Sequence, residues 1–144
     1  MLHRNLSLTG GLLALLLAGG VAAADEKEAD SCLRDKIWDG YSEGWAVRTA
    51  TSATLQQGDH RVYLVTLYAG NEYKLQACGD ASAGDIDLIL HDTEGNPVAR
   101  DETNDREPVI LYKPALTETY YVVMHAINVT EGQSSGMAMA VTYR

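Results

Sequence analysis

The spacing of apolar positions changes once along this chain. From Ala29 they recur as Ala29, Leu33, Ile37 and Tyr41, which places them on one face of a helix. Asp30 or Ser31 suits its start and Gly40 or Gly44 its stop, so the spacing predicts a short amphipathic helix over 30–42. The polar residues 25–30 before it are expected to fray. Beyond Trp45 the period falls to two. Residues 61–68 alternate with Tyr63, Val65 and Leu67 on one face, and 72–78 with Tyr73, Leu75 and Ala77 opposite Glu72, Lys74 and Gln76. Ala69-Gly70-Asn71 between them reads as a short hairpin connection. Residues 85–91 point Ile86, Leu88 and Leu90 inward, and 98–101 return after the turn signal Glu94-Gly95-Asn96-Pro97. Residues 108–112, 119–127 and 136–143 supply further strands.

Seven or eight short strands at roughly ten-residue spacing indicate an all-β sandwich and exclude an α/β fold. The expected division is a leader over 1–24, an extension carrying the helix over 25–53, and the sandwich over 54–144. The core has no Phe to draw on and eight Tyr, whose rings can be buried while the hydroxyls reach the rim.

The first residues place the chain in the cell. His3 and Arg4 precede an apolar run over 6–21, and Ala22-Ala23-Ala24 follows, the order of a secretory signal peptide cleaved after Ala24. The run is interrupted by Gly10, Gly11, Gly19 and Gly20 and is short for a bilayer, which needs about 20 apolar residues. After cleavage a soluble, monomeric, periplasmic or secreted protein with no membrane insertion is expected. A formal charge of −9 argues against nucleic acid and anionic lipid, both of which attract Lys and Arg. The two cysteines, Cys32 and Cys78, are expected to pair in that compartment. A two-Cys metal site is the rival, but neither has a His at ligand spacing. Cys78 falls on the polar side of its strand, so a Cys32–Cys78 bond would staple the helix onto the outside of the sandwich. Closing that loop stabilises by about 3–4 kcal/mol in the chain-entropy model.

Four blocks of sequence occur in order. Val62-Tyr63, Val65, Leu67, Ala69-Gly70, Tyr73 and Leu75 come first; Asp85, Asp87-Leu88, Leu90, Asp92 and Gly95 second; Val98-Ala99 and Asp101 third; Thr119, Tyr121 and Val123 last. Together they resemble the bacterial pre-peptidase C-terminal domain, over roughly 54–143. The resemblance implies a jelly-roll-like β-sandwich that serves as a non-catalytic accessory of secreted hydrolases. Some relatives bind calcium or a polymeric substrate. This chain is expected to differ in carrying no attached enzyme, and it adds the helix and the Cys pair.

Acidic residues gather in the second half: Asp80, Asp85, Asp87, Asp92, Glu94, Asp101, Glu102 and Asp105, with Asn104 among them. Asp85 and Asp87 share a strand face because side chains repeat every two residues. If the loop after Asp101 folds back, Asp85, Asp87, Asp101 and Asp105 would meet and could hold Ca²⁺, which takes six to eight oxygen ligands. The alternative is a set of solvated turn acids, since Asp bonds nearby backbone in turns. An EF-hand spacing is missing. His60, His91 and His125 are isolated in sequence, so a zinc site would need them brought together in space. There is no Gly-x-Ser-x-Gly, and Asn128-Val129-Thr130 matches a glycosylation sequon. Trp38, Tyr41 and Trp45 flank the end of the helix, where aromatics either cap a small core or stack on sugars or peptides. They are the candidate binding residues. The expected function is a non-catalytic binding module, calcium-stabilised if the acids converge, for an envelope protein or polysaccharide. The alternatives are a periplasmic hydrolase inhibitor, acting through the Asp101–Asp105 loop, and a small hydrolase.

Overall fold

A computed structural model describes residues 23–144. The expected leader falls on 1–22, outside the described residues, apart from Ala23 and Ala24. Helix α1 spans Glu26–Tyr41 and is followed by β1 (Ala46–Gln56), β2 (His60–Leu67), β3 (Tyr73–Gly79) and β4 (Ala83–His91). Then come β5 (Pro97–Asp101), β6 (Val109–Tyr112), β7 (Glu118–Val129) and β8 (Ser134–Tyr143). They form two four-stranded antiparallel sheets with the orders β1-β8-β3-β6 and β2-β7-β4-β5. Successive strands alternate between the sheets except at the β4–β5 hairpin, which is the jelly-roll order. The all-β sandwich expected from the alternation is therefore present. The inward positions Leu67, Leu75, Ile86, Leu88, Leu90, Val122, Met124 and Met139 fill the space between the sheets, each at most 1 % exposed.

Three local expectations change. The helix starts before 30, because Asp25 caps it: the Asp25 side chain accepts from the Glu28 amide at 2.9 Å. Glu26 then reaches across to Thr54 Oγ1 (2.6 Å) and Ser52 Oγ (3.2 Å) on β1. The sandwich begins at Ala46, not at 54. The β1 residues Ala46–Gln56 are mostly small and hydroxylated, with Leu55 the one fully buried side chain, so their alternation carries little hydrophobic contrast. Finally, Ala69-Gly70-Asn71 does not close a hairpin. Strands β2 and β3 lie in different sheets, and the Tyr73 hydroxyl accepts from the Tyr68 amide at 2.8 Å to hold the crossover.

Helix α1 lies on the outer face of the sheet containing β3 and β8. Ala29 and Leu33 pack with Cys78, Ala138 and Ala140 in a second, smaller core. That cover is why Cys78 and Gln76, on the polar side of β3, are buried. Cys32 and Cys78 form a disulfide with Cα atoms 6.0 Å apart, so the helix is stapled to the outside as expected. Trp45 closes the corner between α1 and β1. It is 4 % exposed, and its ring lies between Lys74 Nζ and Arg144 Cζ, each 4.4 Å from the ring centre. Buried against these two cations, its ring is not presented to a ligand as those of Trp38 and Tyr41 are.

The carboxylate of Asp80, in the turn between β3 and β4, joins three segments. Oδ1 accepts from the Ser82 amide (3.0 Å), Ser82 Oγ (2.7 Å) and Ser135 Oγ (2.8 Å); Oδ2 accepts from the amides of Asp25 and Gly136, both at 2.8 Å. Burial alone would raise its pKa, but these donors outweigh it and hold it at about 2, below the ordinary 3.8. A depressed folded pKa stabilises above the unfolded pKa, and that stabilisation is lost as pH falls through the folded one. We therefore expect about 2 kcal/mol of unfolding free energy to disappear between roughly pH 4 and pH 2. Urea titrations at pH 5 and pH 2.5 measure it, and Asp80→Asn should remove most of this acid-sensitive component.

Candidate functional site

Two surfaces of the sandwich carry groups that the fold does not consume. The first is the outer face of the sheet β2-β7-β4-β5. Inward Ile86, Leu88 and Leu90 on β4 leave Asp85, Asp87, Ile89 and His91 on the opposite side. In the register, His60 of β2 stands opposite His125 of β7, and His125 stands opposite Asp87 of β4. One row across three strands is therefore His60, His125, Asp87. The two imidazoles have centroids 5.4 Å apart. Asp85 Oδ1 and Asp87 Oδ1 are both shut off from solvent without a hydrogen-bond partner.

The electrostatics follow from that crowding. Burial pushes the Asp87 carboxyl up to about 6, and the nearby charges of Asp85, Glu102 and Asp101 add to the shift. Burial also lowers the His125 pKa, with His60 and His91 adding to the effect and Glu102 opposing it. The His125 imidazole is thus held in its neutral form, with a lone pair, at neutral pH. Chemically, the row can take up a proton on the acid pair, or offer imidazole nitrogen to a transition ion. It is a poor match to calcium, whose ligands are oxygens.

Among the described residues, no three of the four carboxylates expected to form a calcium set bring their oxygens within 4.8 Å of one another. Asp101 stands opposite Leu88 in the β4–β5 ladder, on the core side of the sheet and not on the side of Asp85 and Asp87. Its Oδ1 accepts from the Thr103 amide (3.1 Å) and Oγ1 (2.6 Å), and its Oδ2 from the Val109 amide (2.9 Å). Burial alone would raise its pKa, but these donors lower it. Asp101 thus ties β5 to β6. Asp105 accepts from the Glu107 amide through Oδ1 (3.0 Å), and its carbonyl accepts from the Ile86 amide (2.9 Å). Asp92 holds the β4–β5 turn by accepting from the amides of Glu94 (3.0 Å) and Asn96 (2.8 Å). These are turn acids in the ordinary sense. Among the described residues, one trio of Cys, His, Asp or Glu has ligand atoms all within 4.8 Å: Cys32, Cys78 and Glu107. Its sulfurs are bonded to each other and offer no thiolate.

The second surface is the outward face of α1. Trp38 is 76 % exposed and Tyr41 is 68 % exposed. They are three residues apart, so they sit on adjacent turns of one face. Their rings are parallel to within 10°, with centroids 6.0 Å apart. Leu33 and Ala29 hold the opposite face of the helix against β3 and β8, and the disulfide fixes it there. Exposed Asp35 and Asp39 border the aromatic pair. Of the three aromatic candidates, the fold leaves these two on the surface.

No family model matches this chain, and no curated protein matches it. Among the described residues no helix is long and apolar enough to cross a membrane. The histidine–aspartate row was not visible in the sequence, because its members are tens of residues apart and meet through strand register. The one local signal was Asp85-x-Asp87 itself.

The raised pKa of Asp87 has a signed consequence. A carboxyl whose folded pKa lies above its unfolded value stabilises the fold at low pH, and that stabilisation fades as pH rises through about 6. Asp87→Asn is therefore expected to raise Tm by a few degrees at pH 8 and to leave it nearly unchanged at pH 4. Differential scanning calorimetry at the two pH values measures this.

Proposed function

We propose that this protein is an exported, non-catalytic binding module that recognises a polysaccharide through Trp38 and Tyr41. The observation that carries the reading is the pair of parallel, solvent-exposed rings on a helix fixed to a rigid sandwich. Large exposed aromatics cost solvation and usually mark a contact surface. The C–H faces of sugar rings are apolar and flat, so they stack on such rings, while flanking carboxylates such as Asp35 and Asp39 accept bonds from the hydroxyls. The ordering cost is small because the platform is already held by the disulfide and the second core.

Three further features agree with this reading. The leader pattern over 1–24 points to the periplasm or the extracellular medium. A disulfide between Cys32 and Cys78 suits an oxidising compartment. The jelly-roll strand order agrees with the resemblance to the pre-peptidase C-terminal domain, an accessory module. A polysaccharide is favoured over a protein partner because the patch is two parallel rings among polar neighbours, not a broad apolar area with the anchors buried at its centre.

Co-sedimentation with purified peptidoglycan and with a panel of insoluble glucans tests the proposal. Retention on at least one polymer is expected. Trp38→Ala and Tyr41→Ala should each weaken it about tenfold, the equivalent of roughly 1.4 kcal/mol, with Tm unchanged because neither ring is packed into the core. Trp45→Ala, by contrast, should destabilise the fold by about 3–5 kcal/mol. No retention on any polymer, or retention indifferent to Trp38 and Tyr41, would reject the reading.

A further inference from the structure

The hydrogen bonds of Asp80 leave a charge uncompensated. Its carboxylate is 2 % exposed and accepts from five donors, all of them neutral. Among the described residues no Lys or Arg forms an ion pair with it. Arg106 comes near, but its Nη1 faces the backbone carbonyl of Asp80 at 3.4 Å. These donors outweigh the cost of burial, as the lowered pKa shows, but none of them carries a charge of its own.

One of the five donors can become a cation. The amide nitrogen of Asp25 lies 2.8 Å from Asp80 Oδ2. Asp25 follows Ala22-Ala23-Ala24, the small-residue run at which the leader is expected to be cut. Ala23 is exposed and Ala24 half-buried, so the chain on the leader side of Asp25 leaves this carboxylate toward the surface. Ala23 also lines, with Asp80, Ser82 and Gln133, an open hollow beside the carboxylate. Two separate observations, one from sequence and one from geometry, thus fall on the same bond.

We propose that leader removal between Ala24 and Asp25 turns the Asp25 amide into an α-ammonium that pairs with the buried carboxylate of Asp80, so that processing completes the fold. The inference rests on the export reading. The step is a hydrolysis: water adds across the Ala24–Asp25 bond, Ala24 leaves with a carboxylate, and the new amine of Asp25 takes a proton. No rearrangement is needed, because the nitrogen already occupies its place. The backbone of Asp25 and Glu26 is held there by contact with Gly136, where a Cβ would collide with it. A positive charge at the start of α1 opposes the helix dipole. The carboxylates of Asp25 itself, Glu26 and Glu28 surround that terminus and offset it, while Arg106 is the neighbouring cation.

The pairing predicts a pH signature that a purely neutral hydrogen bond lacks. A free α-amino group titrates near about 7.7, and a carboxylate partner raises that value in the folded state. The added stability is therefore fully present below about pH 7.7 and is lost as pH rises through the raised pKa. The test expresses the full chain with its leader, purifies the exported product and determines its first residue by mass spectrometry. A second full chain carries one Ser inserted between Ala24 and Asp25, which restores an amide at Asp25. The wild-type product is expected to begin at Asp25. The inserted product should melt at least about 4 °C lower at pH 6, with the gap closing by pH 10. In an Asp80→Asn background the gap should vanish. An exported product that begins at another residue overturns the pairing and leaves the export reading standing. Equal melting temperatures at pH 6, or a gap that ignores pH, also overturn it. A chain that keeps residues 1–24 overturns both the pairing and the export reading.

Discussion

The buried carboxylate of Asp80 organises one end of this sandwich. Its oxygens collect the start of α1 through Asp25, the β3–β4 turn through Ser82, and the start of β8 through Ser135 and Gly136. These segments are more than fifty residues apart along the chain. A carboxylate has about four lone-pair sites and accepts several amide and hydroxyl donors at once. Desolvation opposes the charge and the donors restore it, which is why the group stays ionised down to about pH 2. Gly136 takes part by having no side chain, so that the backbone at Asp25 and Glu26 can lie against it.

From that anchor the helix runs across the outer face of the first sheet. Its cover converts a face that would otherwise meet water into a second core, and this accounts for buried Gln76, Cys78 and Thr142 on strands that alternate. The disulfide, the Glu26 contacts to β1 and the Trp45 clamp hold the helix along its length. The consequence for function is rigidity. The two aromatic rings on the far side of the helix are displayed on an element whose position is fixed by three independent kinds of contact.

The two sheets thus differ in what they show to solvent. One is roofed by α1 and displays aromatics through it. The other has no covering helix among the described residues, and its outer face carries the row of His60, His125 and Asp87 together with exposed Val62 and Leu64. Asp92, Asp101 and Asp105 are occupied by the amides of their own loops, while Glu102 pairs with Arg100 and lends its charge to Asp87 and His125.

Much of the fold was legible in the residues alone. Period-two alternation placed the strands from β2 to β8 within a few residues, since each turns one face to the core; only on β3 and β8 does the helix cover the other face as well. The same alternation put Cys78 outward and so predicted an external helix. The pairing of Cys32 with Cys78 needed only the number of cysteines. What required the tertiary structure was everything that depends on which strands are neighbours. A turn sequence such as Ala69-Gly70-Asn71 reads the same whether the chain returns along one sheet or crosses to the other. The gathering of His60, His125 and Asp87 is a matter of register between strands distant in sequence, and the separation of Asp101 from Asp85 and Asp87 is a matter of which side of a sheet a residue faces. Local sequence encodes the period of burial, but long-range pairing is decided by the packing of the whole core.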